Sequence, residues 1–125
     1  MKPLKKPILF LATSNAKRAR EFYQEKLGLT FVADEFPALV FKIGDLMLRI
    51  QKVEQVRKAP YTALGWDVED IRKTVHALRD RGIAFQRYDG MKQDEDGIWT
   101  SPTGGLVAWF QDPDGNILSL TQFKL

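Results

Sequence analysis

Phe110-Gln-Asp-Pro-Asp-Gly-Asn-Ile-Leu-Ser-Leu120 reads as the end of one strand, a tight turn and the start of another strand. Asp-Pro and Asp-Gly are turn dipeptides, since proline fixes its own φ and glycine supplies a positive one without steric cost. Apolar runs flank the turn, over 106–110 before it and 117–123 after it, so the segment predicts a β-hairpin closed through Asp114-Gly115.

Working back from this hairpin, the chain divides into two halves with one order of elements. In the first, residues 8–12 are apolar and read as a strand. Ser14 or Asn15 can cap a helix beginning at Ala16, because either side chain can accept from an unpaired first-turn N–H. Ala16, Ala19, Phe22, Tyr23 and Leu27 give that helix a buried stripe, and Gly28 ends it. Strands follow over 30–33, 39–43 and 46–53, with Gly44-Asp45 as a hairpin turn. The second half begins with a strand over 62–68. Asp70 then caps a helix with Ile71, Thr74, Val75 and Leu78 on its inner face, stopped by Gly82. Strands over 84–88, 106–110 and 117–123 complete it. Each half is β-α-β-β-β, a repeat of element order rather than of residues. One such unit would leave an apolar sheet face open. Pairing two predicts an α+β domain over 1–125, with one module over about 7–56 and another over about 60–125. The expected architecture is a curved mixed sheet with a central cleft and helices on the outside.

Composition bounds the function classes. At 125 residues the chain is long enough to bury a core of its own. A net charge of +3 is too small to imply nucleic-acid binding, and the basic residues are dispersed rather than gathered with aromatics. No apolar run approaches the ~20 residues that span a bilayer, and no signal-peptide core follows the basic start at Lys2, Lys5 and Lys6. Cytoplasmic location is the expectation, with no membrane or nucleic-acid partner. Without cysteine there is no disulfide, thiolate nucleophile or zinc–thiolate site.

Three motifs carry a resemblance. Residues 19–29, Ala-Arg-Glu-Phe-Tyr-Gln-Glu-Lys-Leu-Gly-Leu, are similar to a helix pattern a-x-x-F-Y-x-x-x-L-G. Residues 68–71, Val-Glu-Asp-Ile, are similar to V-x-D-I at the opening of a second helix. The 110–120 stretch is similar to F-x-D-P-D-G-N-x-x-E-L. Together they resemble the vicinal-oxygen-chelate superfamily, which holds glyoxalases, bleomycin-resistance proteins and extradiol dioxygenases, over residues 8–123. The structural reading of the same residues is that they are caps, turns and core, since none offers a positioned nucleophile or base.

The resemblance implies a metal site with one ligand from each of four strands. By the motif spacing those positions fall at Ile8, at Arg49 (or, one residue away, Leu48), at Ala63 beside Thr62, and at Ser119, where the family pattern has glutamate. An isoleucine, an arginine, an alanine and a neutral serine hydroxyl are not a donor set for a divalent ion. No cofactor is therefore expected, with a displaced metal site as the alternative. The only histidine, His76, falls ~140° around its helix from Ile71 and reads as a solvated surface residue.

The cleft implied by the resemblance then holds apolar walls and sparse polar anchors, the usual makeup of a small-molecule pocket. Strand alternation puts Ile8 with Phe10, Met47 with Arg49 and Gln51, and Ser119 with Thr121 on the ligand-position faces. Ala63 and Trp99 complete the candidate set. Arg49 needs either a carboxylate of the protein or an anionic group on a ligand, because an unpaired buried charge is costly. The long, polar connection 89–105 carries Ile98 and Trp99. Either it is a flap over the pocket, or Trp99 docks it on the sheet or at a subunit interface. Trp66 and Trp109 are core or cavity wall.

These readings favour a metal-free protein, similar to the resistance proteins, that binds a small aromatic or amphipathic molecule and forms a homodimer. The alternatives are a lyase, isomerase or dioxygenase using a displaced metal or none, and an interaction module whose cleft a partner fills.

Overall fold

The computed structural model describes residues 3–124. Its chain divides between residues 58 and 59 into two compact units, each with the predicted element order.

In the first unit, β1 (Ile8–Thr13) leads into α1 (Ala16–Arg20), capped by Asn15, whose side chain accepts from the Arg18 N–H. The helix continues as a π-helical segment, Glu21–Lys26, with Leu27 N–H bonded to the Phe22 carbonyl. The wider π turn seats two consecutive aromatics, Phe22 and Tyr23, in the core. Gly28 follows with φ 72°. Then come β2 (Thr30–Asp34), β3 (Ala38–Ile43) and β4 (Leu46–Lys52). They form a mixed sheet in the order β1-β4-β3-β2, with β1 parallel to β4 and the other pairs antiparallel. Tyr23 packs on Phe41 of β3. This face, with Leu11, Leu39, Leu48 and Ile50, is the buried core of the unit.

The second unit repeats the plan. β5 (Thr62–Asp67) precedes α2 (Ile71–Asp80), capped by Asp70 through the Lys73 N–H. Ile71, Val75 and Leu78 are buried as expected, and α2 packs against the last two strands, β7 (Leu106–Gln111) and β8 (Ile117–Gln122). β6 (Trp99–Thr100) is short. The sheet runs β5-β8-β7-β6, again with its outer pair of first and last strands parallel. The hydrogen-bonded ladders therefore form two four-stranded mixed sheets, one per unit, and the α+β, βαβββ reading holds. No helix among the described residues is long and apolar enough to cross a membrane.

One predicted strand is absent. Residues 84–88 make only a single bridge, Phe85 to Phe110, and the third strand of the unit is β6, inside the segment read as the long, polar connection 89–105. Gln86 N–H bonds the Trp109 carbonyl of β7 at 2.8 Å, but the ladder goes no further, because the next backbone groups are taken by a side chain. Gln93 accepts from the Tyr88 N–H at 2.8 Å and donates to the carbonyls of Gln86 and Gly97 at 2.9 and 2.8 Å. These backbone groups are thus satisfied by an amide side chain rather than by a neighbouring strand.

Candidate functional site

Each sheet has one face that carries the buried core of its unit and one opposite face, and the register decides which residues share the second, since cross-strand partners point the same way. In the first unit Ile8 pairs with Met47 and Phe10 with Arg49, while Gln51 pairs with Ala12 and Ala38. The five candidates of this unit therefore lie together. Three of them form an exposed apolar surface: Ile8 is 50% exposed, Phe10 52% and Met47 39%, with Val32 at 56% nearby. Side chains of this size are normally covered, which makes the face a candidate for contact with something else.

Arg49 is already neutralised within the unit. Its Nη1 donates to Glu35 Oε1 at 3.1 Å and lies 3.9 Å from Met47 Sδ. Lys52 is likewise paired with Asp34.

In the second unit the open face carries a row of aromatics. Trp99 pairs with Val107, Val107 with Thr121, and Trp109 with Ser119. Trp109 stands between Trp99, at a centroid distance of 6.0 Å, and Tyr88, edge-on at 5.6 Å. All three are half-buried, and burial pushes the Tyr88 phenol up. Trp66, in register with Leu120, belongs instead to the face that carries the buried Leu118 and Leu120. Ser119 is buried and stands opposite Gly65, with no room between them for another side chain. Ala63 is exposed and lies at a register shift between Thr62 and Leu64, so it joins neither row.

Tyr88 and Gly65 escape the sequence reading, which gives Trp109 only as core or cavity wall. For Trp109 a signal existed: Asp112 N–H bonds the Asn116 carbonyl, so the turn fixes Gln111 opposite Ile117 and hence Trp109 opposite Ser119. Tyr88 gave none, because its segment is not a strand.

The connection 89–105 is tied down rather than loose. Asp94 Oδ1 accepts from the N–H groups of Asp96 and Ile98, Gly97 N–H bonds the Asp94 carbonyl, and Ile98 is buried. Asp112-Pro-Asp-Gly-Asn116 makes the same set of bonds: Asp112 Oδ1 takes the Asp114 and Asn116 N–H groups, and Gly115 N–H bonds the Asp112 carbonyl. One D-x-D-G turn thus occurs twice in this unit. The earlier copy is clamped to α2 by charge. Asp96 Oδ1 accepts from Arg79 at 2.6 Å, and its Oδ2 from Arg72 at 2.5 Å and His76 Nε2 at 3.0 Å, while Asp94 takes a second bond from Arg72 at 2.7 Å. His76 is indeed on the helix surface, 55% exposed, but it has this carboxylate partner. The bonds from His76, Arg72 and Arg79, against some desolvation, hold the Asp96 carboxyl down to about 2. At Asp94 burial works in the opposite direction, yet the Arg72 bond and the two N–H groups hold it below the usual carboxylate range.

The four positions implied for a metal carry Ile8, Arg49, Ala63 and Ser119. Among the described residues, no three His, Asp or Glu side chains are grouped to hold an ion. The donor chemistry does not fit the family's divalent metal.

A sequence model of the Glyoxalase/Bleomycin resistance protein/Dioxygenase superfamily matches residues 7–120. The chain belongs to this superfamily. Among solved structures it is similar to a glyoxalase family protein from Enterococcus faecalis, with 25% identity over 98% of this chain and 100% of that one, TM-score 0.74. TnmS3, an antibiotic-binding protein from Streptomyces, is also 25% identical, covering 99% of both chains with TM-score 0.73. The bleomycin resistance determinant encoded on transposon Tn5 shares the fold at 21% identity and TM-score 0.75, over 97% of this chain and 99% of that one. No curated protein sequence matches the chain.

Proposed function

We propose that this protein binds a small aromatic or amphipathic molecule, without a divalent metal, on the open faces of its sheets. The observation that carries the reading is the Tyr88–Trp109–Trp99 row set beside Ser119. Where the family pattern has a metal-binding glutamate, this chain has a neutral hydroxyl next to a wall of aromatic rings, which favours stacking over metal-assisted chemistry. The likeness to an antibiotic-binding protein supports the same class of function. Within the first unit, the exposed Ile8, Phe10 and Met47, with Gln51 beside them, form a second candidate contact face, and Thr121 is a further candidate in the second unit.

The reading includes a homodimer and a cytoplasmic location. Pairing of two copies is supported by the strands β1, β2, β5 and β6, each of which has a sheet neighbour on one side only. Light scattering and cell fractionation test these two points.

The main test is a thermal-shift screen of aromatic small molecules, with tryptophan fluorescence titration of each hit, on protein whose metal content has been measured. A hit that quenches wild type and loses at least about tenfold in affinity in Trp109→Ala supports the reading. Stoichiometric metal together with turnover of any hit would replace it with the competing lyase, isomerase or dioxygenase reading.

A further inference from the structure

The open face of the first unit holds a pocket of about 470 Å³, within the size range of small-molecule sites. Its walls are apolar: Ile8, Val32, Val40 and Met47. Lys6 and Lys42 stand on its lining with Asp45. The register explains the arrangement, since Lys42 pairs with Met47 and Met47 with Ile8, so an ammonium group and two apolar side chains lie in one row across β3, β4 and β1. Neither Lys6 nor Lys42 has an ion-pair partner among the described residues. Arg49 on the same face is different, because Glu35 has taken its charge.

We infer that this pocket takes an anionic amphipath, an apolar or aromatic body carrying one carboxylate or sulfonate, with Lys42 and Lys6 rather than Arg49 as the charge anchors. The inference rests on the small-molecule reading above and adds the charge of the ligand and the residues that recognise it. The physical basis is twofold. Ile8, Val32 and Met47 leave large apolar area in water that a ligand body would cover. Two free cations against one free carboxylate leave the rim net positive, so an anion is attracted and a cation of the same shape is not. Engaging Arg49 would require breaking its bond to Glu35, whereas the lysines need give up only water.

The methionines allow a site-specific test. With methyl-labelled methionine, the Met47 resonance reports on this pocket, and Met91, in the second unit, is the control. Three probes of one shape are titrated: 2-naphthoate, neutral 2-naphthol and 2-naphthylmethylammonium. The expected result is a saturable shift of Met47 with naphthoate, weaker with naphthol and weakest with the ammonium probe. Lys42→Ala should weaken naphthoate about fivefold, the upper range for an exposed ion pair, and leave naphthol unchanged. Arg49→Ala combined with Glu35→Ala, which leaves the local charge balance unchanged, should keep naphthoate binding within about twofold. Equal affinity for the anion and the cation, or no effect of Lys42→Ala, would overturn the inference. So would a Met47 shift that follows protein dilution without any probe, which would make a second copy of the chain the occupant. Quenching of the tryptophans by other ligands, with Met47 unmoved by naphthoate, would sink this pocket while leaving the broader binding function standing.

Discussion

A Cβ added to Gly65 would lie 2.5 Å from the Ser119 hydroxyl oxygen on the adjacent parallel strand. Real Cβ contacts do not come so close, so the glycine on β5 and the serine on β8 are one packing decision. Gly65→Ala should destabilise the protein by about 1–3 kcal/mol, the range for overpacking. With Ser119→Ala the nearest atoms become the Ser119 backbone oxygen at 3.5 Å and its Cβ at 3.8 Å, so the double variant should recover most of the loss. Urea denaturation of both singles and the double measures it; additive losses would contradict the coupling.

Acid should loosen the clamp on the 94–98 turn. The Asp96 carboxyl sits at about 2, below its ordinary 3.8, because His76, Arg72 and Arg79 bond the charged form. A depressed carboxylate contributes stability that is fully present above its unfolded pKa and is lost as pH falls through the folded one. The loss should therefore develop between about pH 4 and pH 2. Asp96→Asn should reduce that part of the slope, with Asp94 supplying what remains. Denaturation midpoints at a series of pH values check it, and an identical acid slope in the variant would exclude Asp96 as its source.

Gln93 is expected to set the aromatic row. Gln93→Glu removes two amide donations, to Gln86 and Gly97, and aims a carboxylate at their carbonyls. It should cost about 1–3 kcal/mol, as for unsatisfied part-buried groups. The near-ultraviolet circular dichroism of the Tyr88–Trp109–Trp99 row should weaken at the same time. A variant with lower stability and an unchanged aromatic signal would show that Gln93 does not position these rings.

Metal should contribute nothing to stability. Purified protein should hold less than one equivalent of zinc, nickel, iron or manganese, and a chelator should leave the melting temperature unchanged, because Ile8, Arg49, Ala63 and Ser119 supply no divalent donor set. A chelator-induced drop in melting temperature would require ligands outside those positions, with Asp45 or Asp112 the first to test.

Much of this fold was legible in the chain because its signals are local. A cap acts within three residues, as Asn15 and Asp70 show. Glycine stops a helix by its own φ, as at Gly28 and Gly82. Alternation along β1, β4 and β8 correctly grouped Ile8 with Phe10, Met47 with Arg49, and Ser119 with Thr121, since each depends only on strand pleat. Residues 84–88 had the composition of a strand and failed to become one, because whether a ladder forms depends on what lies alongside. Gln86 N–H reaches Trp109 of β7, but the Tyr88 N–H and the Gln86 carbonyl are taken by the side chain of Gln93 from outside the segment.

The sequence by itself determined the βαβββ plan and the superfamily, both properties of residue type and short spacing. Only the tertiary structure decided the rest. It gave Arg49 to Glu35, His76 to Asp96, Ser119 to Gly65, and Trp109 to a row with Tyr88 and Trp99. Each of these pairings joins residues ten or more positions apart, and what unites them is the register of a sheet or the docking of a turn on a helix. No local rule encodes those distances, because they are set by which surfaces the folded chain brings into contact.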